Sequence, residues 1–155
     1  MTTLKSTLRD DLQTAIKARD ELRSATLRLT LTAISKEEVS GTKARELSDE
    51  EVLQVLAKEA KKRREAADAF AQAGRTEQAE REQAEGEVLA HYLPRQLDDA
   101  ELDRVVAEAV AEARAAGAEG PKAMGQVMKI VGPKVKGLAE GGRVAAAVKK
   151  ALATG

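Results

Sequence analysis

An all-α fold is predicted for this chain. Apolar residues recur at spacings of three and four along almost its whole length. Capping signatures and Gly or Pro breaks cut that pattern into helix-sized pieces. One stretch, "LRLTLTAI" within residues 21–39, alternates like a strand, but no second stretch offers it a partner. The expected plan is an N-terminal helical hairpin/four-helix domain, residues 1–93, followed by a small C-terminal three-helix domain, residues 94–155.

Leu4, Leu8, Leu12 and Ile16 mark one face of a first helix. Asp20 caps a second, from Glu21 to about Val39, with Leu22, Ala25, Leu29 and Ala33 as its expected apolar stripe. Ser40-Gly41-Thr42 ends it, and a polar loop runs to Leu47. Ser48 and Glu51 form a capping box for a third helix carrying Leu53, Leu56, Ala60, Arg63, Ala67 and Phe70 on one face. Gly74 closes that helix and Thr76 starts a fourth, which ends before Pro94.

So short a turn makes helices three and four an antiparallel hairpin. Symmetry about Gly74 sets Arg64 opposite Glu85, and Arg63 near Glu82 and Gly86. Arg63 interrupts an apolar stripe, so it needs a partner. Structural ion pairs among Arg63, Arg64, Glu82 and Glu85 are favoured over a ligand-gripping arginine, because such pairs are common in long helical hairpins.

"YLPRQLDD", Tyr92 to Asp99, reads as a hinge, since Pro94 pushes Leu93 out of helical geometry. Asp98 and Glu101 make another capping box for helix five, which runs to Ala116. Gly117 and Gly120-Pro121 break the chain again. Pro121 suits the first turn of helix six, which carries Met124, Val127, Met128 and Val131. Gly132, Gly137, Gly141 and Gly142 read as joints before helix seven, whose face is Val144, Ala147, Val148 and Leu152.

Composition narrows the function classes. Phe70 and Tyr92 are the whole aromatic content, 1% of 155 residues, so Leu, Val, Ile, Ala and Met must build the core. Without cysteine there is no disulfide framework and no thiolate nucleophile or ligand. No apolar run approaches the roughly 18 residues of a membrane span, and the charged start "MTTLKSTLRDDL" lacks a secretory signal's apolar stretch. A soluble cytoplasmic protein without a membrane partner is expected.

Net charge is zero but unevenly spread. Residues 74–117 carry 5 basic and 11 acidic side chains, whereas residues 118–155 carry 7 and 2. Either the last segment meets an anionic partner, or it attracts the acidic middle of its own chain.

The segment "MGQVMKIVGPKVKGLAEGGRV", Met124 to Val144, invites comparison with a phosphate-binding loop. Gly132 and Gly137 have the right separation, but Leu138 stands where lysine must be, no Ser or Thr follows, and no strand precedes. His91, the only histidine, lacks partners for a triad or metal site, and the carboxylates show no paired acid-base spacing. No catalytic residue, metal or cofactor is expected. What remains is a basic set, Lys122, Lys129, Lys134, Lys136, Arg143, Lys149 and Lys150, suited to nucleic-acid phosphates. The competing reading is a solvated lysine face with glycine turns.

"AGR" at 73–75, "HYLPRQL" at 91–97 and "MGQVMKIVGPKVKG" at 124–137 form an ordered set. With Arg63-Arg64 before the first and Glu82 and Glu85 after it, the set resembles the GatB/YqeY family over nearly the whole chain. The resemblance implies a helical N-terminal domain and a C-terminal three-helix domain. A similar module forms the tail of the B subunit of the tRNA-dependent amidotransferase. That enzyme amidates glutamate or aspartate misacylated on tRNA, using ATP and glutamine-derived ammonia. Its tail contacts tRNA, and its catalytic cradle lies elsewhere. The family pattern continues Arg-Ala-Asp-Gly after "PKVKG"; here Leu138-Ala139-Glu140-Gly141 follows, with Arg143 two places beyond. The expected function is a non-catalytic tRNA-binding or tRNA-associated accessory, with an amidotransferase as a protein partner. A protein-interaction adaptor is the alternative, and a carbon-nitrogen ligase with glutamine as amido-N-donor ranks third.

Overall fold

The computed structural model describes residues 2–153. Its helices are α1 (Leu4–Lys17), α2 (Glu21–Glu38), α3 (Asp49–Gln72), α4 (Thr76–Ala90), α5 (Asp99–Ala115), α6 (Pro121–Val135) and α7 (Gly141–Ala153). No strand occurs among the described residues, and the alternating "LRLTLTAI" lies inside α2. Two compact units divide the chain, one up to Leu93 with α1–α4 and one from Pro94 with α5–α7. None of the described helices is long and apolar enough to cross a membrane.

In the first unit α3 packs along α4 and α1 along α2, while α2 also touches α3 and α4. Leu8, Leu27, Ile34, Leu47, Val52, Leu56, Val88 and Leu89 fill the centre. Three helix N-termini carry reciprocal capping boxes, Thr3 with Ser6, Ser48 with Glu51 and Asp98 with Glu101.

The end of α3 is a Schellman turn. Gly74 has φ 76°, its amide donates to Ala71, and the Arg75 amide donates to Phe70 at 2.8 Å. Gly117 closes α5 in the same way. The end of α1 repeats this geometry without glycine: Arg19 has φ 57°, and the Asp20 amide donates to Ala15 at 2.9 Å. Asp20 then caps α2, accepting from the Arg23 amide at 3.1 Å. The two helices are thereby joined by three residues.

Two expected faces are corrected. On α1, Leu8 and Ala15 are buried but Ile16 is 39% exposed. A strict spacing of four drifts by about 40° per step on a 3.6-residue helix, which carries the fourth member off the core face. On α2, the stripe is not Leu22, Ala25, Leu29 and Ala33, for Leu29 is 53% exposed. Thr26, Leu27, Thr30 and Ile34 are buried instead. Each buried threonine hydroxyl donates to the carbonyl four residues back, Thr26 to Leu22 and Thr30 to Thr26, both at 2.8 Å. Satisfied in this way, a threonine can turn its methyl inward.

The second unit is three mutually packed helices. Its centre holds Leu102, Val106, Ala109, Val110, Ala113, Val127, Val131, Val135, Val144 and Val148. Gly120 and Pro121 open α6 as expected. Gly132, however, is not a joint: α6 continues through Gly132 and Pro133 to Val135. Gly137, at φ 78°, is the residue that turns the chain toward α7.

Candidate nucleic-acid interface

The segment between Pro94 and Asp98 braces the α6–α7 turn of the second unit. The Leu97 amide donates to the Leu138 carbonyl at 2.8 Å, and the Gln96 side-chain amide donates to the Gly137 carbonyl at 3.0 Å. Arg143, from the first turn of α7, donates to the Leu97 carbonyl at 3.0 Å and pairs with Asp99 at 2.9 Å. Motifs 41 residues apart in sequence thus meet at one turn, whose glycine supplies the positive φ that a side chain would resist. Arg95 adds a bidentate bond to Glu101, at 3.2 and 2.8 Å. That guanidinium, followed by the Asp98 amide, holds the Glu101 carboxyl below its ordinary 4.5.

Around this clamp the expected basic residues separate into two kinds. Arg143 is half-buried and committed to the linker. Lys122, Lys129, Lys134, Lys149 and Lys150 are exposed and make no ion pair or hydrogen bond among the described residues. Lys136 is also exposed but has an interaction of its own. On α6, Lys122 and Lys129 are seven residues apart, which places them on one line of the helix with exposed Gln126 between them. Lys134 lies about 120° around from that line. On α7, adjacent Lys149 and Lys150 flank the side away from Val144 and Val148.

In the first unit, Arg63 sits among three carboxylates. Its Nε lies 3.1 Å from Glu85 and 4.0 Å from Glu82, and its NH1 lies 3.4 Å from Glu59. Arg81 completes the group, 3.3 Å from Glu85. Arg63, Glu59 and Glu85 side chains are only 13%, 12% and 11% exposed. NH1 donates to Glu59, whereas the buried Nε has no hydrogen-bond partner and meets Glu85 and Glu82 through charge alone. Desolvation, then the charge of Glu85, raises the Glu82 carboxyl above 4.5, against the pull of Arg63 and Arg81. Glu85 is thus met by both Arg63 and Arg81, and Arg64, which is exposed, has an interaction of its own. The expected placing of Arg63 near Glu82 and Gly86 holds: a Cβ placed on Gly86 would lie 3.7 Å from the Arg63 Cβ. Arg81 stands four residues before Glu85, a helical spacing that the sequence itself displays.

One gathering escaped the sequence reading. His91, exposed at the C-terminal end of α4, also lines a cleft of about 320 Å³ with Asp11, Thr14, Ala15, Ala18, Asp20 and Arg23. It also packs edge-on against Tyr92, with ring centroids 5.3 Å apart. The Tyr92 hydroxyl donates to Asp11 at 2.5 Å. Burial first, then that carboxylate, lifts the phenol well above its usual 10.0. The signal available was the only histidine beside the only tyrosine, but nothing in the spacing pointed 81 residues back to Asp11. Among the described residues no group of His, Asp or Glu is arranged to hold a metal ion.

The arrangement offers exposed positive charges carried on helices, with no paired acid and base beside them. A family model described as Yqey-like protein matches residues 5–152. No match is found among curated proteins.

Proposed function

Since the chain belongs to the Yqey-like protein family, we propose that it is a non-catalytic, tRNA-associated accessory protein of the cytoplasm whose second unit contacts RNA phosphates. The observation that carries this reading is the set Lys122, Lys129, Lys134, Lys149 and Lys150, exposed and unpaired among the described residues. A lysine surface serving only to neutralise the acidic middle of the chain would be spent in ion pairs. Arg143 is spent in this way, on Asp99, whereas these five are not. Ammonium groups in water keep their affinity for phosphate and release counterions on binding. Arg143 and Lys136 belong to the proposed surface less directly, Arg143 as the brace that holds the α6–α7 turn.

Filter binding of total tRNA over a salt series tests the proposal. Phosphate contacts by these five lysines give a log–log salt slope of roughly −3.5 to −4.5. Reversing Lys122, Lys129, Lys149 and Lys150 to Glu should abolish binding. No binding at low salt, or binding indifferent to the reversal, refutes the reading. A protein partner that survives nuclease treatment would favour the adaptor reading. Amide formation on Glu-tRNA with ATP and glutamine would favour a ligase.

A further inference from the structure

Resting on the RNA-binding reading, we propose that the second unit grips the pre-ordered backbone of double-helical RNA, such as the stems of a folded RNA, and not unstacked single strands.

Ordering a flexible single strand has an entropic cost, and proteins that bind such strands recover it by stacking bases on aromatic side chains. The two aromatic residues of this chain, Phe70 and Tyr92, both precede Pro94, so the second unit has no aromatic side chain. Arginine planes can substitute for aromatics against a splayed base, but here they are engaged or badly placed. Arg95 is held bidentate by Glu101, and Arg143 is held by the Leu97 carbonyl and Asp99. Arg104 lies on α5 three residues after Glu101 and four before Glu108, a neighbourhood that repels phosphate, and Arg114 shares its cleft with Glu119.

The free charges are lysines, compact ammonium groups that bind phosphate without planar readout. Lys122 and Lys129 stand about 10 Å apart along a rigid helix, and Lys149 and Lys150 are fixed on a second one. Lysine stems anchored at set points along ordered helices, with ammonium groups that adjust locally, suit a target whose phosphates are already fixed. A double helix meets that condition with no stacking contact required, and double-stranded RNA is read mainly by shape and phosphate contacts.

The experiment compares two probes on the full chain at one salt concentration: an RNA hairpin with a stem of about one helical turn, and oligouridine with the same number of nucleotides. The hairpin should bind at least about tenfold more tightly, and the fourfold Lys-to-Glu variant should lose it, with circular dichroism confirming that these exposed substitutions leave the helices intact. Equal affinity, or tighter binding of oligouridine, overturns the duplex preference while leaving RNA binding in place. Failure of both probes overturns the duplex preference and the RNA-binding reading together. Hairpin binding that survives in the variant overturns the assignment to this surface.

Discussion

Replacing Arg63 with methionine keeps most of the side chain's length and apolar stem but removes the charge between Glu59, Glu82 and Glu85. Breaking a fully buried ion pair costs about 3–5 kcal/mol, and an exposed pair about 0–1. With Arg63 and Glu85 side chains 13% and 11% exposed, and half-exposed Arg81 still beside Glu85, the loss should be roughly 2–3 kcal/mol at pH 7. For a unit of this size that is a fall in Tm of roughly 10–20 °C. The pH dependence follows from Glu82, whose folded pKa already lies above 4.5. Loss of Arg63 removes an opposing charge and raises it further. A raised carboxyl stabilises the fold fully below its unfolded pKa and loses that contribution as pH rises through the folded value. The penalty of Arg63→Met, measured against the parent at each pH, should therefore shrink between pH 7 and pH 4.5, the ordinary value. Adding Glu82→Gln should recover part of it at pH 7. Thermal unfolding followed by the emission of Tyr92, which lies in the first unit, reads the effect where it occurs. A variant as stable as the parent at pH 7, or one equally penalised at both pH values, would refute the account.

Three other outcomes are expected. Arg19→Gly should stabilise the first unit by about 0.5–1 kcal/mol in denaturant melts, because glycine meets φ 57° without the Cβ clash; Gly137→Ala, with open space around its Cβ but φ 78°, should cost the second unit about 1–2 kcal/mol through backbone strain alone. Tyr92, the only tyrosine, should show no tyrosinate absorbance as pH passes 10.0 and should ionise only when the fold gives way, since a raised phenol stabilises below its unfolded pKa and that stability fades as pH climbs toward the folded value. Glu101, held below 4.5 by Arg95 and the Asp98 amide, stabilises above 4.5 and loses that contribution as pH falls through its lowered value, so Glu101→Gln should start with a lower Tm at pH 7 and lose less of it on acidification.

Much of the architecture was legible because capping chemistry and glycine breaks are local. Ser48 with Glu51, Asp98 with Glu101, Gly74 and Gly117 announced helix ends within a residue or so. What was not legible depended on partners distant in sequence or on satisfied polarity. Thr26 and Thr30 count as polar in any periodicity, yet their hydroxyls are consumed inside α2 and both residues are fully buried. Arg19 ends α1 in a conformation that only the surrounding hydrogen bonds disclose. Among the basic residues, sequence weighted Arg143 equally with the lysines. Its commitment to Leu97, 46 residues away, is visible only once the chain is folded.

The two centres differ in a way that bears on how each unit answers a ligand. The first is built mainly of leucine, the second mainly of valine. A valine on a helix has essentially one side-chain rotamer, whereas leucine has real freedom to lose or regain. The valine-centred unit therefore gives up little side-chain disorder on folding and holds little in reserve. It should behave as a stiff template, with sharply ordered methyl groups in NMR relaxation before and after contact with a partner. Any adaptation on binding then falls to the other molecule.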